Sequence, residues 1–264
     1  MKTNRRRRSW SQMEDKLYEM MDWAEIEAVV YSEENQPRNI LGPHKTKDGI
    51  VIQGYFPDAV EASVKLLSDE KTVPMVQEDE GGYFAVLLPG TKIPEYRFVV
   101  TGPDGEKEEF YDAYAFPCQL DEKAQKQFEA GICYNVYEML GAHPAVIDGV
   151  RGTCFAVWAP NAIRVSVVGD FNHWDGRMHQ MHLHESGIYE LFIPEVGEGA
   201  LYKYEIKAKG GLVYLKADPY ANASQLRPDT ASVVADLGKS RWQDGDWMKQ
   251  RRKVQGDKTP MYVY

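Results

Sequence analysis

At 264 residues, 43% of them hydrophobic and 12% aromatic, the chain is long enough to bury one or two cores. Its net charge of −9 argues against an extended nucleic-acid face, which needs clustered cations. No run approaches the roughly 18 consecutive apolar residues of a membrane span, and no apolar stretch follows the early arginines as in a secretion signal, so a cytoplasmic protein is expected.

The basic block Arg5 to Arg8 reads as a terminal solubilising tail. Asp15 to Tyr31 predicts a helix, because Leu17, Met20, Met21, Ala24, Ala28 and Tyr31 recur at three- and four-residue spacing before the stop signals Asn35 and Pro37. Its apolar face is expected to clamp onto a core. Beyond it the chain repeats itself. Leu41-Gly42-Pro43-His44 is answered by Leu140-Gly141-Ala142-His143, Tyr96-Arg97-Phe98 by Tyr202-Lys203-Tyr204, and Asp112-Ala113-Tyr114-Ala115 by Asp218-Pro219-Tyr220-Ala221. Each copy holds short alternating strands broken by Gly, Pro, Asp and Asn. The expected fold is mainly β: two tandem immunoglobulin-like β-sandwiches with short flanking helices. Between the copies, Phe128, Ile132, Val136 and Leu140 are spaced by four and predict a helix within Asp121 to Leu140. The division expected is 1–120 for the helix and first sandwich, 121–246 for the second, and 247–264 for a connector and a final strand.

The second copy carries the informative stretch. Two strands are predicted, Thr153 to Trp158 and Ile163 to Val168, joined at Pro160-Asn161. The run then turns through Gly169-Asp170-Phe171-Asn172-His173 and carries Trp174 out on a loop. In Leu201 to Ala208, Tyr202, Tyr204, Ile206 and Ala208 share one face, so Lys203, Glu205 and Lys207 share the other.

The segments F-A-V-W-A-P-N-A, G-D-F-N-H-W, Y-K-Y-E-I and K-A-D-P-Y-A resemble the family 48 carbohydrate-binding β-sandwich in the N-terminal part of bacterial glycogen branching enzymes. The resemblance extends to the opening M-D-W-A-E-I-E-A-V-V-Y and to the closing M-Y-V-Y, which is similar to the first strand of that family's catalytic (β/α)8 barrel. It implies that the parent enzyme moves an α-1,4-glucan segment to an α-1,6 branch point by a retaining double displacement, without cofactor or metal. Its partners would be an α-glucan, glycogen or a maltooligosaccharide, and the barrel itself. No catalytic residue carries over to this chain. The contact residues that do are Trp174 and Lys203, with Leu226 and Thr230 matched more loosely. Aromatic rings lie on apolar sugar faces while a few polar groups fix hydroxyls, so these residue types suit the task. Equally, Trp174 could pack against a neighbouring domain and Lys203 merely solubilise its sheet.

The second platform Trp of that family falls at Leu215, which predicts weak binding. In the first copy Leu67 to Lys71 stands where Trp174 should recur, so that sandwich is expected to be a spacer or docking domain. His179, His182 and His184 read as loop histidines rather than a metal site, Asp170, Asp175 and Glu185 as turn residues, and Gly81-Gly82 and Gly210-Gly211 as hairpin turns. Cys118, Cys133 and Cys154 read as small buried hydrophobes. Trp242 and Trp247 are expected to pack sandwich against barrel. Alternatives are a stand-alone glucan-binding or scaffold protein and a related debranching or trehalose-forming enzyme.

Overall fold

The computed structural model describes residues 16–239, 241–251 and 253. Arg5 to Arg8 and the strand expected from Thr259 to Tyr264 lie outside the described residues. The predicted long N-terminal helix is interrupted. Residues 16–19 are helical, and a second helix, α1 (Trp23–Val30), begins anew because Asp22 offers its carboxylate to the Glu25 N–H and caps it.

The first sandwich pairs two antiparallel sheets. One has strand order β1 (Gly42–Lys45), β2 (Ile50–Tyr55), β6 (Tyr83–Leu88), β5 (Val76–Asp79); the other has β4 (Thr72–Pro74), β3 (Glu61–Leu66), β7 (Tyr96–Thr101), β8 (Lys107–Phe110). Ile50, Ile52, Phe84, Val86 and Leu88 face inward onto Val64, Tyr96 and Phe98. Val51, Tyr55, Tyr83 and Leu87 face outward, yet are buried beneath Ile26 and Val29 of α1. Both faces of β2 and β6 are therefore covered, so β6 reads as an unbroken apolar run, and β2 as one interrupted only at Gln53 and Gly54, rather than as alternating strands. Gly81-Gly82 turns β5 into β6, with Gly82 at φ +101°, as expected of a hairpin.

The second sandwich faces β12 (His182–Leu183), β13 (Ile188–Pro194), β10 (Val150–Trp158) and β9 (Gly141–Ile147) against β11 (Ala162–Gly169), β14 (Leu201–Ala208), β17 (Ser232–Val233) and β16 (Ala223–Ser224), with β15 (Val213–Lys216) sharing with β17 the edge of β14 away from β11. Phe155, Val165, Val167, Tyr189, Leu191, Tyr202 and Tyr204 fill its core. Fully burying a side chain of this size contributes about 1.5–3 kcal/mol.

The two copies share their devices. Tyr96 Oη donates to Asp112 Oδ2 at 2.6 Å, and Tyr202 Oη to Asp218 Oδ2 at 2.7 Å. The other oxygen of each aspartate accepts the N–H two residues on, at Tyr114 and Tyr220, both at 2.8 Å. Burial pushes Asp112 up to about 6 against the pull of those hydrogen bonds, and raises Asp218 in the same direction.

Between the sandwiches, the helix expected over 121–140 closes early. α2 (Glu122–Glu129) ends in a paired cap, the Gly131 N–H bonding Phe128 O and the Ile132 N–H bonding Gln127 O, with Gly131 at φ +71°. Ile132 is thereby turned outward, while Phe128 and Val136 pack on Leu140, Ala156 and Ile188. The stretch before α2 crosses the outer face of the β13–β10 sheet, where Phe116 stacks edge-on against Phe192. The cysteine expectation does not hold. Cys118 lies on this exposed stretch, and Cys133 and Cys154 are only partly covered, since none occupies an inward strand position of a core.

The N-terminal segment joins both sandwiches. At the end of α1 and beyond it, Val29 O accepts from Gln180 Nε2 at 3.1 Å, Tyr31 O from Lys207 Nζ at 3.1 Å, and Asn35 O from the Leu183 N–H at 2.7 Å. The clamp expected of this helix thus reaches further than one core. At the other end, α3 (Gly245–Arg251) carries Trp247, and Trp242 before it is 88% exposed. Among the described residues no helix is long and apolar enough to cross a membrane.

Candidate carbohydrate-binding site

The site begins with the register of β11 on β14. Val168 pairs with Lys203 and Ser166 with Glu205, so these four share the outer face, as strand alternation requires. On the far side of β14, Leu215 pairs with Glu205 and Tyr214 with Ile206, which puts Leu215 on the outer face and Tyr214 on the other. The predicted inward set is found in Tyr202 and Tyr204, both fully buried.

A buried arginine organises this face. Arg164 donates through Nη1 to Ser166 Oγ at 2.6 Å and Gly176 O at 2.9 Å, and through Nη2 to Glu205 Oε1 at 2.8 Å. Ser166 Oγ donates to Gly176 O at 2.7 Å. Stretch 170–178 is thereby tied flat onto the sheet, so closely that a Cβ at Gly176 would collide with the Glu205 carboxylate.

The loop itself is built by Asn172. Its Oδ1 accepts the Gly169 N–H at 2.9 Å, and its Nδ2 donates to Val167 O and to His179 Nδ1, both at 2.9 Å. His179 is buried and neutral, its pKa lowered to about 4 by desolvation. His173 and Trp174 then adopt left-handed backbone, φ +54° and +60°, which is uncommon for bulky side chains and costs roughly 1–2 kcal/mol per residue. The Trp174 N–H bonds Gly169 O at 3.0 Å, and the indole Nε1–H donates to Asp170 Oδ1 at 2.8 Å. That i, i+4 tie orients the ring and was the signal in D-F-N-H-W that could have picked out Asp170. Arg177 forks onto Asp175 and reaches Asp58 of the first sandwich at 2.6 Å.

Lys203 Nζ donates to Thr230 Oγ1 at 2.9 Å. Thr230 is positioned by its neighbours: Ser232 Oγ accepts the Asp218 N–H at 2.9 Å, and Ala231 O accepts the Gln225 N–H at 2.9 Å. The structure thus joins Lys203 to Thr230 directly and sets Trp174 on Gly169, one residue beyond the cross-strand partner of Lys203. Leu226 stands 87% exposed on the same loop as Thr230. Leu215, 48% exposed, joins the outer face with no aromatic ring.

Elsewhere, a cleft of about 720 Å³ separates the sandwiches, lined by Phe110, Phe171 and His173 among carboxylates that include Asp58, Glu108 and Glu195. His182 and His184 stand apart from His179, on β12 and just after it, and hydrogen bonds made by His184 to Cys118 and Glu190 raise its pKa to about 9.

The fold is a tandem of β-sandwiches, and comparison with known families makes the second of carbohydrate-binding type. Residues 139–221 match the family described as carbohydrate-binding module 48 (isoamylase N-terminal domain). More particularly, residues 22–114 match the N-terminal domain of the alpha-1,4-glucan branching enzyme GlgB, so the first sandwich matches that family and the second the module 48 family. The 1,4-alpha-glucan branching enzyme GlgB of Rubrobacter xylanophilus is 44% identical over 240 residues, covering 90% of this chain and 33% of that protein. That of Gloeobacter violaceus is 45% identical over 245 residues, covering 91% and 33%. The chain spans about a third of the length of the curated relatives it matches. Among solved structures, the pullulanase of Anoxybacillus sp. LM18-11 aligns over 76% of this chain and 28% of its own at 19% identity and TM-score 0.34, a likeness too loose to carry any detail.

Proposed function

We propose that this chain is the glucan-docking part of a cytoplasmic 1,4-α-glucan branching enzyme, holding glycogen or a maltooligosaccharide on the outer face of β11 and β14. Trp174 supplies the stacking ring, Lys203 and Thr230 the hydroxyl contacts, and Leu226 the apolar edge. The observation that carries this reading is the strained loop. A tryptophan held at φ +60°, its indole N–H fixed by Asp170, is a pre-oriented ring, and strain of this kind is retained where it serves a site. Beside it, Lys203 bonds Thr230 alone among the described residues and keeps two N–H donors for a ligand.

The first sandwich, with its boundary near Leu120, acts as a spacer that buttresses the Trp174 loop through Arg177 and Asp58. The transfer of a glucan segment belongs to a catalytic barrel, and no residue of this chain takes a catalytic role. The exposed Trp242 and Trp247 suit burial against that barrel.

Affinity electrophoresis through glycogen-containing gels tests the reading. Trp174→Ala is expected to weaken retardation about tenfold or more, as loss of an aromatic anchor does, and Lys203→Ala to weaken it less. Retardation equal in wild type and both variants would place binding elsewhere. A folded wild-type chain that is not retarded would remove the glucan reading altogether.

A further inference from the structure

The linker before α2 crosses the outer face of the β12–β13–β10 sheet at one polar place. Glu190 on β13 is 2% exposed, and its cross-strand partners are His182 on one side and Ala156 on the other. Its Oε1 accepts the backbone N–H groups of Gln119 and Leu120, and its Oε2 lies 2.8 Å from His184 Nε2. Cys118 comes down on the same spot, so that its Sγ, an imidazole nitrogen of His184 and a carboxylate oxygen of Glu190 all lie within 4.8 Å of one another. The His182 ring stands edge-on to that of His184, centroids 5.3 Å apart, with its Nδ1 buried and unpaired.

We propose that Cys118, His184 and Glu190 bind one thiophilic divalent cation of the Zn²⁺ class, which fastens the linker to the second sandwich. A sulfur, an imidazole nitrogen and a single carboxylate make a borderline-soft donor set; Mg²⁺ and Ca²⁺ need shells of oxygen that this place lacks. Bonds to zinc of about 2.0–2.3 Å put neighbouring ligand atoms roughly 3.3–3.6 Å apart. The His184–Glu190 contact need only open slightly, and the thiol close in. Two backbone N–H groups already aim the carboxylate, as the outer shell of a metal site does. Cys118 is exposed, which gives the ion access and lets water fill the fourth position. The place is separate from Trp174 and Lys203, on the opposite sheet of the sandwich.

The test uses the full chain, freed of any polyhistidine tag, titrated with Zn²⁺ against a chromophoric chelator and with Co²⁺ by absorption. One equivalent of tightly held zinc is expected, with a thiolate-to-cobalt charge-transfer band in the near ultraviolet. Cys118→Ser should abolish that band and weaken binding at least about tenfold; His184→Gln should weaken it similarly. Cys118 is exposed, so its replacement leaves the fold intact, which circular dichroism verifies. His173→Gln, at an exposed histidine away from the trio, should leave the zinc affinity unchanged. A folded wild type that holds less than one equivalent at micromolar metal, or a cobalt spectrum without the thiolate band, overturns the proposal, as does unaltered affinity in Cys118→Ser.

Discussion

Arg97 in the first sandwich and Lys203 in the second occupy the same position, each following the tyrosine that bonds the buried aspartate of its own copy. Their surroundings differ. Arg97 forks onto Glu195 of the second sandwich at 3.0 and 2.8 Å, bonds Glu109 O, and lies 4.2 Å from the Tyr111 ring centroid. Both terminal nitrogens of that guanidinium are engaged, on Glu195 across the joint and on Glu109 within the first sandwich. Lys203 bonds one hydroxyl and faces outward. The strand connections differ in parallel: β3 turns into β4 through the short Leu67 to Lys71 stretch, whereas 170–181 between β11 and β12 carries Trp174. One fold thus serves two ends, and what separates them is whether the outer face of the second sheet is closed by ion pairs or left open beside a ring.

The largest effect that would sharpen this comparison concerns Arg164. Arg164→Met removes the cation from a buried cluster and leaves Glu205 without its partner, with Ser166 still donating to Gly176 O, a loss of about 3–5 kcal/mol in a denaturant titration. The corresponding residue of the first sandwich by strand register is Glu61, which is exposed, and Glu61→Met should stay within about 0.5 kcal/mol. Equal losses at the two positions would deny that the second outer face has an organising centre.

The shared aspartates give the next effect. Burial holds the Asp112 pKa at about 6 in the folded state against 3.8 for an unburied aspartate, so the folded state binds the extra proton between these values. Its contribution to stability is therefore fully present below about pH 4 and is lost as pH rises through 6, a difference of roughly 3 kcal/mol. His179 opposes it: held neutral down to about 4, it loses stability as pH falls from 6.5 towards 4. Comparing unfolding free energies at pH 5 and pH 7, Asp112→Asn should lack the gain on acidification that the wild-type carboxyl supplies. Parallel pH curves for the two proteins would contradict the assigned shift.

Much of this was legible in the chain. The repeat survived as geometry, down to matched tyrosine–aspartate bonds, because each copy's turn residues and alternation dictate the same local structure. The outward turn of Leu215, opposite to Tyr214, follows from strand period alone, whereas the bond from Lys203 to Thr230 needed the loop before β17 to be placed. The helix breaks at Asp22 and Gly131 were in view as residue types, but apolar periodicity ran through them and masked the caps. What no local pattern could show was convergence across long separations. Arg97 meets Glu195, and Cys118 meets His184 and Glu190, only once two sandwiches and a crossing linker have been placed.

Replacing Leu215 gives a smaller and more pointed effect. It is half exposed on the outer face, so Leu215→Trp adds a ring without disturbing a core. A second stacking surface contributes about 0.5–1.5 kcal/mol, so retardation by glycogen should strengthen several-fold. No gain would mean that the face lacks room for a sugar beside Glu205.

Thr230→Val is the finest probe, because it keeps the side chain's shape and removes only the hydroxyl. The Lys203–Thr230 bond is exposed, so stability should barely change. For binding the two readings of the outer face diverge. If Lys203 is a hydroxyl-binding cation, Thr230 holds its ammonium in place, and freeing that long side chain costs about 0.5–1.5 kcal/mol, a two- to tenfold loss of glucan affinity. If Lys203 only keeps its sheet soluble, its position is immaterial and affinity is unchanged. In the first sandwich the same question has no meaning, since Arg97 is already held from four directions, and the contrast between one tether and many separates an open binding face from a closed joint.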